Sequence, residues 1–157
     1  MRRGRQKTAP DVETFKKILK DKGLRATTQR VAVHEAMLQL GHASADMVAD
    51  QISKSGGAAI TIASVYNILS GLADMKIYDR RLSPDSKMYF DVNTFKHLHI
   101  YDTRNNEFKD VIDDELIALV EDHLKDRTIK GYRIDSIDIQ LCAHPARKRR
   151  KAEPSAE

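Results

Sequence analysis

The 157-residue sequence contains one cysteine, Cys142, and one thiol cannot close an internal disulfide. A disulfide-stapled secreted domain is therefore excluded, and the count suits a reducing cytoplasm. No apolar run approaches the roughly 18 residues that cross a bilayer, so no transmembrane helix and no membrane partner are expected. The basic start Met1-Arg2-Arg3-Gly4-Arg5 is followed by no apolar h-region, so a secretory signal is not expected either and the reading is cytoplasmic. There is no internal repeat. What remains is an ordinary globular composition, 41% hydrophobic and 32% charged, on a length that suits one domain or two small ones.

Charge is unevenly placed. Residues 1–7 contribute +4 and residues 144–157 contribute +3, while the whole chain carries only +4, so the body between the ends is net acidic by three charges. Basic ends attract polyanions without reading sequence, and are equally well explained as solvated, disordered segments.

Helical spacing runs through residues 11–22 (Val12, Phe15, Ile18, Leu19) up to a stop at Gly23. Thr27 or Thr28 can cap a second helix carrying Val31, Val33, Met37, Leu38 and Leu40, and Ser44 a third through Ile52. Thr61 can cap a fourth, with Val65, Ile68, Leu69, Leu72 and Met75 inward and Ser64, Tyr66, Asn67 and Ser70 outward. Two strands, Lys76–Leu82 and Lys87–Val92, flank the turn Ser83-Pro84-Asp85-Ser86. Short helices leading into a hairpin are the order of a winged helix-turn-helix. Beyond residue 92 the pattern predicts a hairpin of His97–Asp102 and Glu107–Ile112, a helix over Asp113–Asp126, and a strand Gly131–Leu141 bulged near Asp135-Ser136. The expected fold is α+β: a basic arm (1–10), a winged-helix DNA-binding domain (11–92), a hinge (93–96), a small ββαβ dimerisation and sensing domain (97–143) and a basic tail (144–157). A unit of about 50 residues buries little core alone, which predicts that a second copy covers it.

His97-Leu98-His99 is the most informative triplet, because residues i and i+2 of a strand face the same way and both imidazoles can reach one ion. Two histidines on a strand are also well explained as surface residues. Their neighbours argue for more: Asp91 ends the wing strand, Asp110 lies on the strand the hairpin pairs beside His99, and His42 sits in a connection between helices. All fall at the boundary between the two halves, where an ion would clamp one relative orientation.

With these residues in place the sequence resembles the ferric uptake regulator family of bacterial metalloregulators over about residues 12–142. The motifs are Gly23-Leu24-Arg25-Ala26-Thr27-Thr28-Gln29-Arg30, His42-Ala43-Ser44-Ala45-Asp46, Ile62-Ala63-Ser64-Val65-Tyr66-Asn67-Ile68-Leu69, Tyr89-Phe90-Asp91, and His97-x-His99 with Asp110 eleven residues further on. The resemblance implies a homodimeric transcription regulator, not an enzyme, whose regulatory metal is held by His42, Asp91, His97, His99 and Asp110. Such a donor set has nitrogen and oxygen but no sulfur and suits Fe²⁺ or Mn²⁺, with Zn²⁺ able to substitute. It also implies that residues 62–75 enter the major groove of an A·T-rich inverted repeat, with Ser64, Tyr66 and Asn67 at the bases or phosphates, Arg25 and Arg30 near the backbone, and Arg80 and Arg81 on the wing.

Many family members carry two Cys-x-x-Cys pairs for a structural zinc. Here the first pair's positions read Asp102 and Asn105 and only Cys142 remains near the second, so no structural zinc is expected and Cys142 reads as a core residue. His123, Cys142 or His144 could serve only a minor second site. Aspartate at both acidic ligand positions resembles the peroxide-responsive branch, which implies that peroxide oxidises His42 or His97 and releases DNA. The alternative is an iron- or haem-responsive regulator; against it, Lys96-His97-Leu98-His99 stands where that branch commonly has three histidines, and no Cys-Pro motif is present. An iron oxygenase is disfavoured because half of so short a chain is helix-turn-helix.

Overall fold

Residues 8–146 are described by the computed structural model, in two units divided between Lys96 and His97. The basic segments 1–7 and 147–157, within the arm and tail expected to be disordered, lie outside the described residues.

The first unit begins with α1 (Val12–Asp21), where the Asp11 carboxylate accepts the Thr14 amide at 2.8 Å and Phe15 and Leu19 are buried. Gly23 adopts φ +72°, and the Leu24 amide reaches back to the Leu19 carbonyl at 2.8 Å. That reversal needs a left-handed residue, which glycine supplies without a Cβ penalty. Thr27 caps α2 (Thr28–Leu40) by accepting the Arg30 amide, and Thr61 caps α4 (Ile62–Asp74) by accepting the Ser64 amide at 3.1 Å. Between them, β1 (His42–Ala43) leads into α3 (Ala45–Lys54), where Ser44 holds the cap position but its side chain makes no capping hydrogen bond. On α4 Val65, Leu69 and Leu72 are buried, Ile68 and Met75 half-buried, and Tyr66 and Asn67 exposed, as expected, but Ser64 and Ser70, expected outward, are half-buried.

The wing strands are shorter than the sequence suggests: β2 is Asp79–Leu82 and β3 is Met88–Asp91. Residues 76–78 finish the helix instead. Lys76 turns to φ +59°, and the amides of Ile77 and Tyr78 both bond back to the Leu72 carbonyl, at 2.9 and 3.3 Å. His42 was expected in a loop, but it forms the two-residue strand that completes the antiparallel sheet β1-β3-β2.

The α2 stripe also differs. Leu38 is exposed, and His34 is fully buried in the core. Its ring stacks on Phe15 with centroids 3.9 Å apart, Nδ1 lies 2.7 Å from the Tyr78 hydroxyl, and Nε2 lies 2.8 Å from the Pro10 carbonyl. A carbonyl can only accept, so Nε2 carries the proton and Nδ1 accepts from Tyr78, which uses both nitrogens of a neutral ring. Burial pushes the His34 pKa below its ordinary value, against smaller opposing effects of the Pro10 and Asp11 backbone. The unfolded chain therefore binds the proton more readily, and stability falls as pH drops below the ordinary imidazole pKa of about 6.5. Urea denaturation of the metal-free chain should show this acid loss. His34→Gln should be less stable by about 2–3 kcal/mol at neutral pH, from buried polar groups left without partners, and should show a smaller loss on acidification. An acid loss unchanged by the substitution would contradict the assignment.

In the second unit β4 (Leu98–Asp102) is the central strand, antiparallel to β5 (Glu107–Val111) and parallel to β8 (Gln140–Ala143). The β4–β5 turn is held by the buried Asp102 carboxylate, which accepts the Arg104 and Asn105 amides at 2.9 and 3.3 Å and the Asn105 side-chain amide at 2.9 Å. The Arg104 amide, chief among these, holds the Asp102 pKa below the usual carboxylate range. Asp113 caps α5 (Asp114–Leu124), a helix that buries none of its residues within the described chain.

The single strand expected over Gly131–Leu141 is not formed. Tyr132–Arg133 is β7, paired with β6 (Thr128–Ile129) around Lys130 and Gly131, both at positive φ, and residues 134–139 join no ladder. The change of apolar phase at Asp135-Ser136 marks an interruption larger than a bulge. The α+β class, with an N-terminal winged helix and a small C-terminal sheet unit, is as the sequence indicated, but the last strand of the expected ββαβ unit is replaced by three short ones, β6, β7 and β8.

Candidate metal centre and nucleic-acid face

Strand register places an imidazole against a carboxylate in each unit. In the first, His42 on β1 stands opposite Asp91 on β3, and His42 Nε2 lies 3.0 Å from Asp91 Oδ2, with both side chains buried. In the second, His99 on β4 stands opposite Asp110 on β5. His97 precedes β4 by one residue, and its ring centroid lies 4.3 Å from that of His99. Both Nε2 atoms face the same oxygen, Asp110 Oδ1, at 3.0 Å from His97 and 3.7 Å from His99.

Within each unit these spacings suit donors to a cation. Donors about 2.1 Å from one ion and at right angles around it lie about 3 Å apart. The same distance serves a hydrogen bond while an imidazole keeps its Nε2 proton, so metal binding would displace protons from these pairs. The donor set is all nitrogen and oxygen, which fits Fe²⁺, Mn²⁺ or Zn²⁺.

Cys142, expected in the core, is exposed on β8, an edge strand whose Leu141 is also exposed. The two are consecutive and so leave opposite faces, and among the described residues neither face of β8 is closed over at this point, so the thiol is not packed away. His123 lies 3.3 Å from the Arg127 guanidinium, an unfavourable neighbour for a cation. Among the described residues, His123, Cys142 and His144 join no group of three or more potential metal donors.

The expected DNA-reading residues all lie in the first unit. Tyr66 is 44% exposed, with its ring edge on Phe90 of β3 (centroids 5.9 Å apart), so helix and wing are in contact at this point. The Ser64 hydroxyl accepts from Thr61 Oγ1 at 2.9 Å, which leaves its own proton available to an outside acceptor. Arg30 donates to the Arg25 carbonyl at 2.7 Å, and Arg30 and Asn67 border one depression beside α4. Arg80 and Arg81 are consecutive on β2, so their side chains leave opposite faces. Arg80 Nη2 is paired with Asp74 at 3.1 Å. Sequence reasoning missed His34 and Asp138. The former could have been found as a polar residue within an apolar helical stripe; Asp138, which faces His99, has no such signal.

A winged helix followed by a separate small sheet unit with a His/Asp cluster is the architecture of a metal-responsive DNA-binding transcription regulator. Residues 21–141 match the model of the Ferric uptake regulator family, and the chain belongs to that family. Among solved structures, it is similar to the Vibrio cholerae ferric uptake regulator at 21% identity and a TM-score of 0.69, covering 83% of this chain and 99% of that one. The Helicobacter pylori ferric uptake regulator, described with three functional metal-binding sites, aligns at 18% identity and a TM-score of 0.70 over 94% of this chain and 100% of that one. The Campylobacter jejuni peroxide stress regulator aligns at 21% identity and a TM-score of 0.63 over 84% and 96%. A comparison with curated protein sequences gives no match. At these identities the structures establish a shared fold.

Proposed function

We propose that the chain is a homodimeric, metal-dependent repressor that senses peroxide through one Fe²⁺ or Mn²⁺ ion held by His42, Asp91, His97, His99 and Asp110. The observation that carries this reading is the pair of register matches, His42 against Asp91 and His99 against Asp110, each aligning an imidazole with a carboxylate. Two donors come from the first unit and three from the second, so an ion bound to all five would couple the sensing unit to the DNA-binding unit. Fe²⁺ held there would activate peroxide for a balanced transfer: peroxide would be reduced by two electrons, one oxygen adding to a ligand imidazole that is oxidised by the same two electrons and the other leaving as water. His42 and His97 are the candidates, and loss of either donor would weaken the coupling and release DNA.

Aspartate at both acidic positions, as in the peroxide-responsive branch, favours peroxide over iron or haem as the signal. The absence of any second cysteine supports a second unit held by packing and hydrogen bonds, the Asp102 turn among them, with no structural zinc. Dimerisation is supported by Ile112, Leu119, Ile129, Tyr132 and Leu141, all exposed on the second unit, which a second copy would cover. A twofold dimer would read an inverted repeat, with Tyr66, Ser64 and Asn67 toward base edges and Arg25, Arg30, Arg80 and Arg81 toward phosphates.

Chelation tests the reading. Duplexes selected from a random pool by the Mn²⁺-loaded protein should be bound about tenfold to a hundredfold more weakly in EDTA, the size of a typical allosteric coupling. The circular dichroism spectrum should be retained. Specific binding unchanged by EDTA would refute metal control, and cooperative unfolding on chelation would refute the absence of a structural metal.

A further inference from the structure

The imidazole of His99 has two nitrogens, and the second unit turns a carboxylate toward each. Nε2 faces Asp110 Oδ1 at 3.7 Å, the oxygen that His97 Nε2 also faces, and Nδ1 faces Asp138 Oδ1, also at 3.7 Å. A neutral imidazole offers a lone pair on only one nitrogen; the other carries a proton that needs an acceptor. Because His97 and His99 direct their Nε2 atoms at one oxygen, Nε2 of His99 is the nitrogen aimed at the candidate metal position, and an ion bound there would leave the proton to Nδ1.

We propose that Asp138 is a positioning residue of the metal site: it accepts the Nδ1 proton of His99, selects that tautomer and holds the Nε2 lone pair toward Asp110. This rests on the reading of His99 and Asp110 as ligands. Asp138 lies in the irregular segment before β8, yet the backbone fixes its place. The His99 amide donates to the Ile139 carbonyl at 3.0 Å, and Gln140 stands opposite His99 in the parallel β4–β8 register. The residue next to Asp138 is thus tied to the ligand strand, and only side-chain torsions separate 3.7 Å from a hydrogen bond. The contrast in exposure suits the role: the His99 side chain is 3% exposed and that of Asp138 61%. The carboxylate lies in solvent on the outer side of an enclosed ring. Such an outer carboxylate orients a ligand imidazole and strengthens it as a donor.

Two measurements on the full-length chain test this. The first is long-range ¹H–¹⁵N NMR of the metal-free protein at a pH where imidazoles are neutral. His99 should be in the Nδ1–H form, should become a mixture of tautomers in Asp138→Ala, and should return largely to Nδ1–H in Asp138→Asn, whose side-chain oxygen still accepts. The second is a Mn²⁺ titration followed by electron paramagnetic resonance. Asp138→Ala should weaken binding by about tenfold to a hundredfold, and Asp138→Asn should recover most of that loss. An unchanged tautomer and unchanged affinity in Asp138→Ala, while Asp110→Ala loses Mn²⁺, would overturn the role of Asp138 alone. Unchanged Mn²⁺ affinity in Asp110→Ala would instead overturn the ligand reading on which the role depends. Substitution of an exposed residue outside the ladders spares the core. Asp138→Leu, which has no acceptor, serves as the second removal variant if the alanine form does not fold.

Discussion

Asp110→Ala is expected to abolish metal-dependent DNA binding, with a loss of Mn²⁺ affinity beyond the roughly hundredfold that marks an outer-shell change. The expectation follows from convergence. A single oxygen, Asp110 Oδ1, is faced by Nε2 of both His97 and His99, so its removal takes away the negative charge around which two enclosed imidazoles are arranged. A divalent ion left with two neutral nitrogens in the second unit would lose both a donor and charge compensation. His97→Ala and His99→Ala should each weaken binding less, because each removes a neutral donor and leaves the carboxylate. Asp102→Ala is the informative control. Asp102 sits on the neighbouring strand β4 and is buried, where Asp110 on β5 is half-buried, but its oxygens are engaged with the Arg104 and Asn105 amides. Its loss should lower thermal stability and leave the Mn²⁺ affinity of the folded protein near wild type. Equal loss of Mn²⁺ in the two variants, both folded, would show that the second unit's general integrity matters and not the carboxylate of Asp110.

The second large effect concerns the signal. Peroxide added to the Fe²⁺-loaded protein should place one oxygen on the peptide containing His42 or that containing His97 and should release bound DNA. The Mn²⁺-loaded protein, given the same dose, should show neither change, since Mn²⁺ is far harder to oxidise. Both rings are enclosed, with side chains 5% and 2% exposed, so peroxide free in solution has little access to them unless it reacts where they meet the ion. The exposed His123 is the internal control: oxidation there at equal yield would mean indiscriminate damage. Release of DNA by haem without added oxygen would favour the iron- or haem-responsive alternative.

Much of the winged helix was legible because its punctuation is local. Thr27, Thr61 and Gly23 each act within a few residues, through a cap or a left-handed reversal, so their effect is written next to them in the chain. The placement of His99 opposite Asp110 was also readable, since a short turn sets the hairpin register. What escaped depends on distant partners. His42 was expected in a loop, because a two-residue strand has no periodicity and exists only through its pairing with β3, nearly fifty residues away. His34 hid in an amphipathic helix, where its burial is made favourable by Tyr78 and the Pro10 carbonyl. Residues 131–141 carry enough apolar alternation to suggest one strand, but β8 takes its place beside β4 only after the β6–β7 hairpin and the irregular segment have passed. Asp138 is set by that same late pairing.

In the proposed metal site one ion takes donors from both units. Electron spin echo envelope modulation of the Mn²⁺-loaded protein counts coordinated histidine nitrogens directly. Three are predicted in wild type, with one lost in His42→Ala, from the first unit, and one lost in His99→Ala, from the second. A spectrum unaltered by His42→Ala would contradict the account, because the ion would then be held without that donor from the DNA-binding unit.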